Sequence, residues 1–334
     1  MNEQIVLGHG GGGRLSYQLI KQEILSRFGE GPLQEMPDAA SLLVASQRLL
    51  FSTDTFVVHP LSFPGGDIGE LAVYGTVNDL AVAGGRPRWL ALSLILEEGF
   101  ALSRLRSILD SIKRAADRCE VAIVTGDTKV VRRGQCDGLY ITTSGIGEML
   151  PGFALGVDRI VPGDRILVSG RLGDHGMAVL SSREKIQIEG GPQSDTRPVH
   201  GLVSRLSDMA ADIHFMRDPT RGGIASVLNE VIIGQAFGMC IRENALPFSS
   251  GARSLAEMLG MDLLHVASEG CLVLFCAPKS VESVLERWKT MPEGQDAVEI
   301  GVVVAGGNHV VMETSIGGKR LVDFPQGELL PRIC

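Results

Sequence analysis

Ser103-Arg-Leu-Arg-Ser-Ile-Leu-Asp-Ser-Ile-Lys-Arg-Ala-Ala-Asp-Arg-Cys119 runs directly into Glu120-Val-Ala-Ile-Val-Thr125 and then Gly126-Asp127-Thr128-Lys129. Leu105, Ile108, Leu109, Ile112 and Ala116 recur at helical spacing, with Ser103 in position to cap the helix. The apolar run that follows reads as a buried strand from Glu120 to Thr125 that ends at Gly126. A helix feeding a buried strand implies layers of helix on sheet, so the fold class is α/β or α+β.

The same signals repeat on either side. Arg48 to Val58 reads as a strand interrupted by polar residues, and Leu139 to Ile146 is rich in strand formers. The chain turns at Pro162-Gly163, which places a domain boundary around Val157–Asp164. Beyond it, helices are expected near Val199–Asp212, Ile224–Phe237, Ser254–Leu259 and Ser280–Trp288. Strands are expected near Arg165–Ser169, Cys271–Cys276, Glu299–Val304 and His309–Glu313. From Asp323, two prolines and a glycine in twelve residues predict an extended tail that ends at Cys334. A length of 334 residues fits two domains.

Composition narrows the function classes. The net charge of −8, without a long basic run, argues against nucleic acid, whose phosphates demand clustered Lys and Arg. The longest apolar runs, such as Trp89 to Leu96, are too short to span a bilayer, and the N-terminus lacks a secretory pattern. Six scattered cysteines form no C-x-x-C pair, which fits reduced thiols in the cytoplasm.

Five features carry possible chemistry. His9-Gly10-Gly11-Gly12-Gly13 exposes backbone N–H groups that suit a phosphate, or it is a flexible linker. Asp54, Asp79 and Asp127 each sit in a polar break beside apolar stretches; such residues serve as turns or caps, or together as hard oxygen ligands for Mg²⁺ on a nucleotide. Arg217-Asp218-Pro219-Thr220-Arg221-Gly222-Gly223 precedes a helix and reads as an anion site or as an ordinary capped helix. Glu269 opens an apolar strand, where an acidic residue is usually just solvated. Cys334 is either an incidental thiol or a group carried on a mobile tail.

Taken in order, His9 to Gly13, Phe51-Ser52-Thr53-Asp54, Pro64-Gly65-Gly66, Asn78-Asp79, Ile95 to Gly99, Val124 to Val131, Gly173-Asp174-His175-Gly176, Arg217 to Gly223 and Pro331-Arg332-Ile333-Cys334 closely resemble the HypE family of hydrogenase maturation factors, the carbamoyl dehydratases. The terminal Pro-Arg-Ile-Cys is the most discriminating part, because related ATP-using enzymes lack it. The resemblance departs from the family pattern at Ser268 and Cys271, which flank Glu269-Gly270.

The resemblance implies a two-domain aminoimidazole ribonucleotide synthetase-like fold with mixed sheets. Residues 1–157 would form an ATP-binding and dimerisation domain, 158–322 a C-terminal α/β domain, and 323–334 a mobile tail carrying Cys334. It implies ATP-dependent dehydration of an S-carbamoyl group on Cys334 to a thiocyanate, for the cyanide ligands of [NiFe]-hydrogenase iron. Cys334, Lys129 and Glu269 would act in the chemistry. Asp54, Asp79 and Asp127 would hold Mg²⁺. His9, Gly10, Gly11, Gly12, Gly13, Thr53, Asn78, Thr128, Asp218, Thr220, Arg221, Gly222 and Gly223 would bind ATP. The implied partners are a second copy of the chain, HypF as carbamoyl donor and a HypC–HypD complex as cyanide acceptor. Two rivals are an ATP-dependent relative acting on a free small molecule and a non-catalytic carrier. The Cys334 tail counts against the first, and the Asp set with Lys129 against the second.

Overall fold

A computed structural model describes residues 4–10, 14–29, 42–45, 48–325, 330, 333 and 334, with the side chains of 8, 10 and 14 outside the description. Two mixed sheets dominate it. The first has four strands: β1 (Leu49–Phe56), β4 (Gly85–Glu97), β5 (Ala122–Val131) and β6 (Leu139–Met149), in the order β1-β6-β4-β5. Only β4 and β5 run parallel. A small hairpin, β2 (Ser62–Phe63) with β3 (Gly66–Asp67), leads into α3 (Ile68–Val82).

Helix α3 is buried nearly all round, so it has no amphipathic stripe and sequence periodicity does not reveal it. Asp67 caps it by accepting from the Gly69 and Glu70 N–H groups. With α4 (Leu102–Arg118), α3 covers one face of the first sheet. Among the described residues, no helix covers the other face. Phe51 is 71% exposed there, beside Thr53 and Thr55, whose hydroxyls pair with those of Ser144 and Thr142.

The second sheet has seven strands: β7 (Arg165–Val168), β8 (Ile213–Arg217), β9 (Phe237–Arg242), β10 (Val273–Cys276), β11 (Val298–Ala305), β12 (Val310–Glu313) and β13 (Lys319–Leu321). Their order is β13-β12-β9-β11-β7-β10-β8, antiparallel except for β9 with β12. Helices α5 (Asp174–Arg183), α6 (His200–Ser204), α7 (Gly223–Ile232), α8 (Ser250–Leu259) and α9 (Val281–Lys289) complete this half. The short helical pieces α1 (Arg14–Leu19) and α2 (Leu25–Phe28), joined by a π turn, lie near the N-terminus.

The fold class expected from sequence holds, and local differences have physical causes. Strand β5 does not end at Gly126; it pairs with β4 through Val131, so the parallel partner overrides the glycine. Ser103 does not cap α4. The N-cap is Ala101, whose carbonyl accepts from Arg104 and Leu105 N–H. Helix α7 stops at Ile232, because Gly234 turns the chain at φ 73° into β9. Residues 199–212 split into α6 and a 3-10 helix with non-helical Met209 inside. At the end of the tail, Ile333 is buried in the first half's core, and Val57 N–H donates to the Cys334 carbonyl at 3.0 Å.

Candidate active site

Asp54 points from β1 toward α3, where it faces Asp79 in the last turn of that helix. Ser52, on the same face of β1, donates to Asp79 Oδ2 at 2.6 Å. Asp218, just after β8, joins them electrostatically. Asp54 and Asp79 do not lie in turn-forming breaks of the kind sequence suggests: Asp54 is a strand residue and Asp79 a helix residue. Burial is the largest influence on all three and raises each pKa, with Asp79 adding repulsion to Asp54 and Asp218. Asp218 is pushed up to about 7. Arg221 lies 3.7 Å from Asp54 Oδ1, and the charge of Arg217 also acts on Asp79 and Asp218.

Glu269 closes the recess. It is 3% exposed, and its Oε1 meets no hydrogen-bond partner among the described residues. Burial, followed by the charges of Asp218, Asp195, Asp54 and Asp79, raises its pKa well above the ordinary carboxylate range. Sequence reading takes this residue for an ionised, solvated strand end. The side chain is buried instead, and its surroundings disfavour the charged form. The unpartnered Glu269 oxygen is a hard donor of the kind a divalent cation takes, but as the side chains stand no three acidic, His or Cys groups among the described residues are gathered into a metal site.

The backbone around Glu269 is held from several sides. Asp195, which sequence reading missed in a polar stretch resembling a loop, accepts from Glu269 N–H at 3.1 Å and Gly270 N–H at 3.0 Å. Arg197 Nε donates to the Gly270 carbonyl. Asn78 is not placed to touch a nucleotide: its two amide protons go to the Glu269 and Arg197 carbonyls, and its oxygen accepts from Val199 N–H. It is a positioning residue that ties α3 to the second half. Pro219 O accepts from Ser268 N–H, which joins the 217–223 loop to the same segment. Gly223 has φ 60°, and a Cβ there would lie 2.6 Å from the Leu264 and Val266 carbonyls, so only glycine lets this loop approach.

A second group of expected residues lies elsewhere. His9 sits in a 3-10 turn, Leu7–Gly10, that packs beside β5. Its Nδ1 accepts from Val6 N–H, and its carbonyl accepts from Ser16. Gly11, Gly12 and Gly13 lie outside the described residues. On β5, Lys129 pairs with Asp127 at 3.2 Å, and both side chains are more than half exposed. Thr128 N–H donates to Asp127 Oδ1.

The structure does not bring this group to the recess. Strand β5 is the opposite edge of the sheet from β1, three strand spacings or roughly 14 Å away. The register aligns Asp54 with Thr143, Leu92 and Gly126, whereas Asp127 aligns with Ser93, Thr142 and Thr55. That offset of one residue puts Asp127 on the other face. Within one chain, therefore, Asp127 does not join Asp54 and Asp79, and Lys129 does not approach Glu269. Thr53 also faces the open side, bonded to Ser144 and the Thr143 carbonyl.

Comparison with known proteins fits this architecture. The AIR synthase related N-terminal domain matches residues 36–149, and the AIR synthase related C-terminal domain matches 161–313. The carbamoyl dehydratase HypE of Azotobacter vinelandii is 45% identical over 334 residues, covering 100% of this chain and 98% of that protein. The crystal structure of hydrogenase maturation protein HypE in complex with ATP superposes with a TM-score of 0.94 at 42% identity, over 98% of this chain and 99% of that one. The HypE chain of a HypE–HypF complex gives 0.81 at 41% identity, over 92% and 99%. The chain belongs to the HypE family of carbamoyl dehydratases, built from the two AIR synthase related domains.

Proposed function

We propose that this chain is an ATP-dependent dehydratase that converts an S-carbamoyl group on its own Cys334 into a thiocyanate, supplying cyanide for the iron of [NiFe]-hydrogenase. The observation that carries this reading is the docked tail. Cys334 is held just past the end of β1, at Val57, three residues beyond Asp54.

The chemistry is dehydration of R–S–C(=O)–NH₂ to R–S–C≡N. Oxygen leaves as phosphate after accepting a phosphoryl group from ATP, and both N–H protons depart. Mg²⁺ held by Asp54, Asp79 and Asp218 would offset the charge of the transferred phosphoryl group. Thr220, Arg221 and Gly222-Gly223 at the start of α7 supply a guanidinium and backbone donors for phosphate oxygens. Glu269 is the acceptor for an N–H proton. Once cations balance its acidic neighbours, it ionises and can take that proton.

Asp127, Lys129, Thr128 and the His9 glycine turn would complete the site from a second copy. Two observations support a homodimer: the open, partly apolar face of the first sheet, and the separation of the two residue groups within one chain. Residues 1–157, 158–322 and 323–334 remain our division of the chain. A HypE–HypF complex among the relatives supports HypF as a partner; its role as carbamoyl donor, and a HypC–HypD complex as cyanide acceptor, rest on the resemblance to the family. We place the reaction in the cytoplasm, where reduced thiols persist; none of the six cysteines is in a disulfide. No helix of the described residues is long and apolar enough to cross a membrane. The test is mass spectrometry of the C-terminal peptide after carbamoyl loading. Adding ATP should remove one water from the modified Cys334. An unchanged carbamoyl mass, with ATP consumed, contradicts the proposal.

A further inference from the structure

Two motifs remain without a role: Gly173-Asp174-His175-Gly176 and Pro64-Gly65-Gly66. They meet at the tail. His175, in the first turn of α5, is fully buried, and its Nε2 lies 2.6 Å from the Ile333 carbonyl. A carbonyl only accepts, so Nε2 bears the proton. Nδ1 lies 2.8 Å from Ser194 Oγ. Burial, the largest influence, lowers the imidazole's pKa, so the ring is neutral and Nδ1 accepts the Ser194 hydroxyl proton. Ser194 Oγ in turn accepts from Thr196 N–H at 3.1 Å and lies 2.6 Å from Thr196 Oγ1. The chain of donors has one consistent direction and ends on the tail. Phe63 packs edge-on against the ring at 5.3 Å.

The glycine motif holds the other side of this arrangement. Ser194 N–H donates to Pro64 O at 2.8 Å. Gly65 has φ 90°, and a Cβ there would fall 2.6 Å from Ser194 N. The next residue, Asp195, grips the backbone of Glu269 and Gly270. Asn78 then bridges Arg197 and Glu269.

We propose that His175 is the positioning residue that seats the chain's own last two residues, and that Ser194–Arg197 fixes that seat relative to Glu269. The ligand is a C-terminal Ile-Cys: the imidazole reads the Ile333 carbonyl, Val57 N–H reads the Cys334 carbonyl, and the core buries the Ile333 side chain. The consequence for dehydration rests on the function proposed above; the docking does not.

The test is the alkylation rate of Cys334 by iodoacetamide in unmodified full-length protein, read on the C-terminal peptide, with buried Cys119 as an internal report on folding. His175→Ala should speed Cys334 alkylation by roughly tenfold, the loss of about one buried hydrogen bond, and leave Cys119 protected. His175→Gln, which keeps a donor at the same reach, should stay near the parent rate. If His175→Ala also exposes Cys119, Ser194→Ala replaces it and should speed Cys334 by a smaller factor. Parent-like Cys334 alkylation in a variant that keeps Cys119 protected overturns the docking role. In carbamoylated protein, His175→Ala should also slow thiocyanate formation by the same factor. If the parent forms no thiocyanate while the alkylation differences hold, the proposed function fails and the docking role stands.

Discussion

The recess around Asp54, Asp79, Asp218 and Glu269 and the β5 edge around Asp127 and Lys129 present opposite physics. In the recess, acidic groups are gathered out of water with only Arg221 and Arg217 opposing them, and burial raises every pKa. On β5, a Lys and an Asp pair in solvent, where such a bridge contributes about 0–1 kcal/mol. The first arrangement costs folding free energy and makes sense only if a cation arrives. The second costs nothing and gains a purpose only if something covers the open sheet face. In the function proposed above, each is half of a site.

The largest effect that separates the halves should come from Glu269→Gln. With its buried base gone, thiocyanate formation should fall by roughly 10²–10⁴-fold, while carbamoyl loading and ATP binding persist. Parent-rate thiocyanate formation, read by mass on the C-terminal peptide, would return Glu269 to an inert strand end. Next in size is Gly223→Ala, which forces a Cβ against two carbonyls at φ 60° and should cost on the order of 1–3 kcal/mol in urea unfolding. A parent-like midpoint would mean that the loop relaxes freely.

A smaller effect probes the cost of the recess itself. Asp218 titrates at about 7 in the folded protein against 3.8 in an ordinary chain. The folded state therefore binds more protons between those values, and stability falls as pH rises through that window. Asp218→Asn removes the titration. In the presence of a chelator, it should raise Tm by a few degrees at pH 8, with the advantage shrinking toward pH 4. A gain that does not depend on pH would place the effect elsewhere. The smallest effect is Lys129→Ala, which should shift Tm by less than about 1 °C, because only an exposed pair is lost. A large shift would make the β5 edge structural.

Much of this was legible in the sequence because the signals are local. The amphipathic face of α4 shows in its periodicity, and Asp54, Asp218 and Glu269 sit in motifs that resemble one family along the whole chain. What sequence missed is non-local. Helix α3 hides because it is apolar on all sides. Asp195 and His175 gain meaning only where the 194–197 segment crosses Glu269 and the tail. The separation of Asp127 from Asp54 depends on strand order and a register offset of one residue, which no motif spacing records. The tail composition gave no sign of the contacts its end makes through two backbone carbonyls and one apolar side chain.

The most direct test of two half-sites joined across copies mixes Lys129→Ala and Glu269→Gln protein, each carbamoylated and inactive alone, after unfolding and joint refolding. If the halves come from different chains, half of the random dimers contain one intact site, so about a quarter of all chains should become thiocyanate on ATP addition. If the reacting Cys334 belongs to the chain that supplies Glu269, the cyano group should be found only on Lys129→Ala chains, which mass alone distinguishes. No recovered activity, or a cyano group on Glu269→Gln chains, contradicts this arrangement.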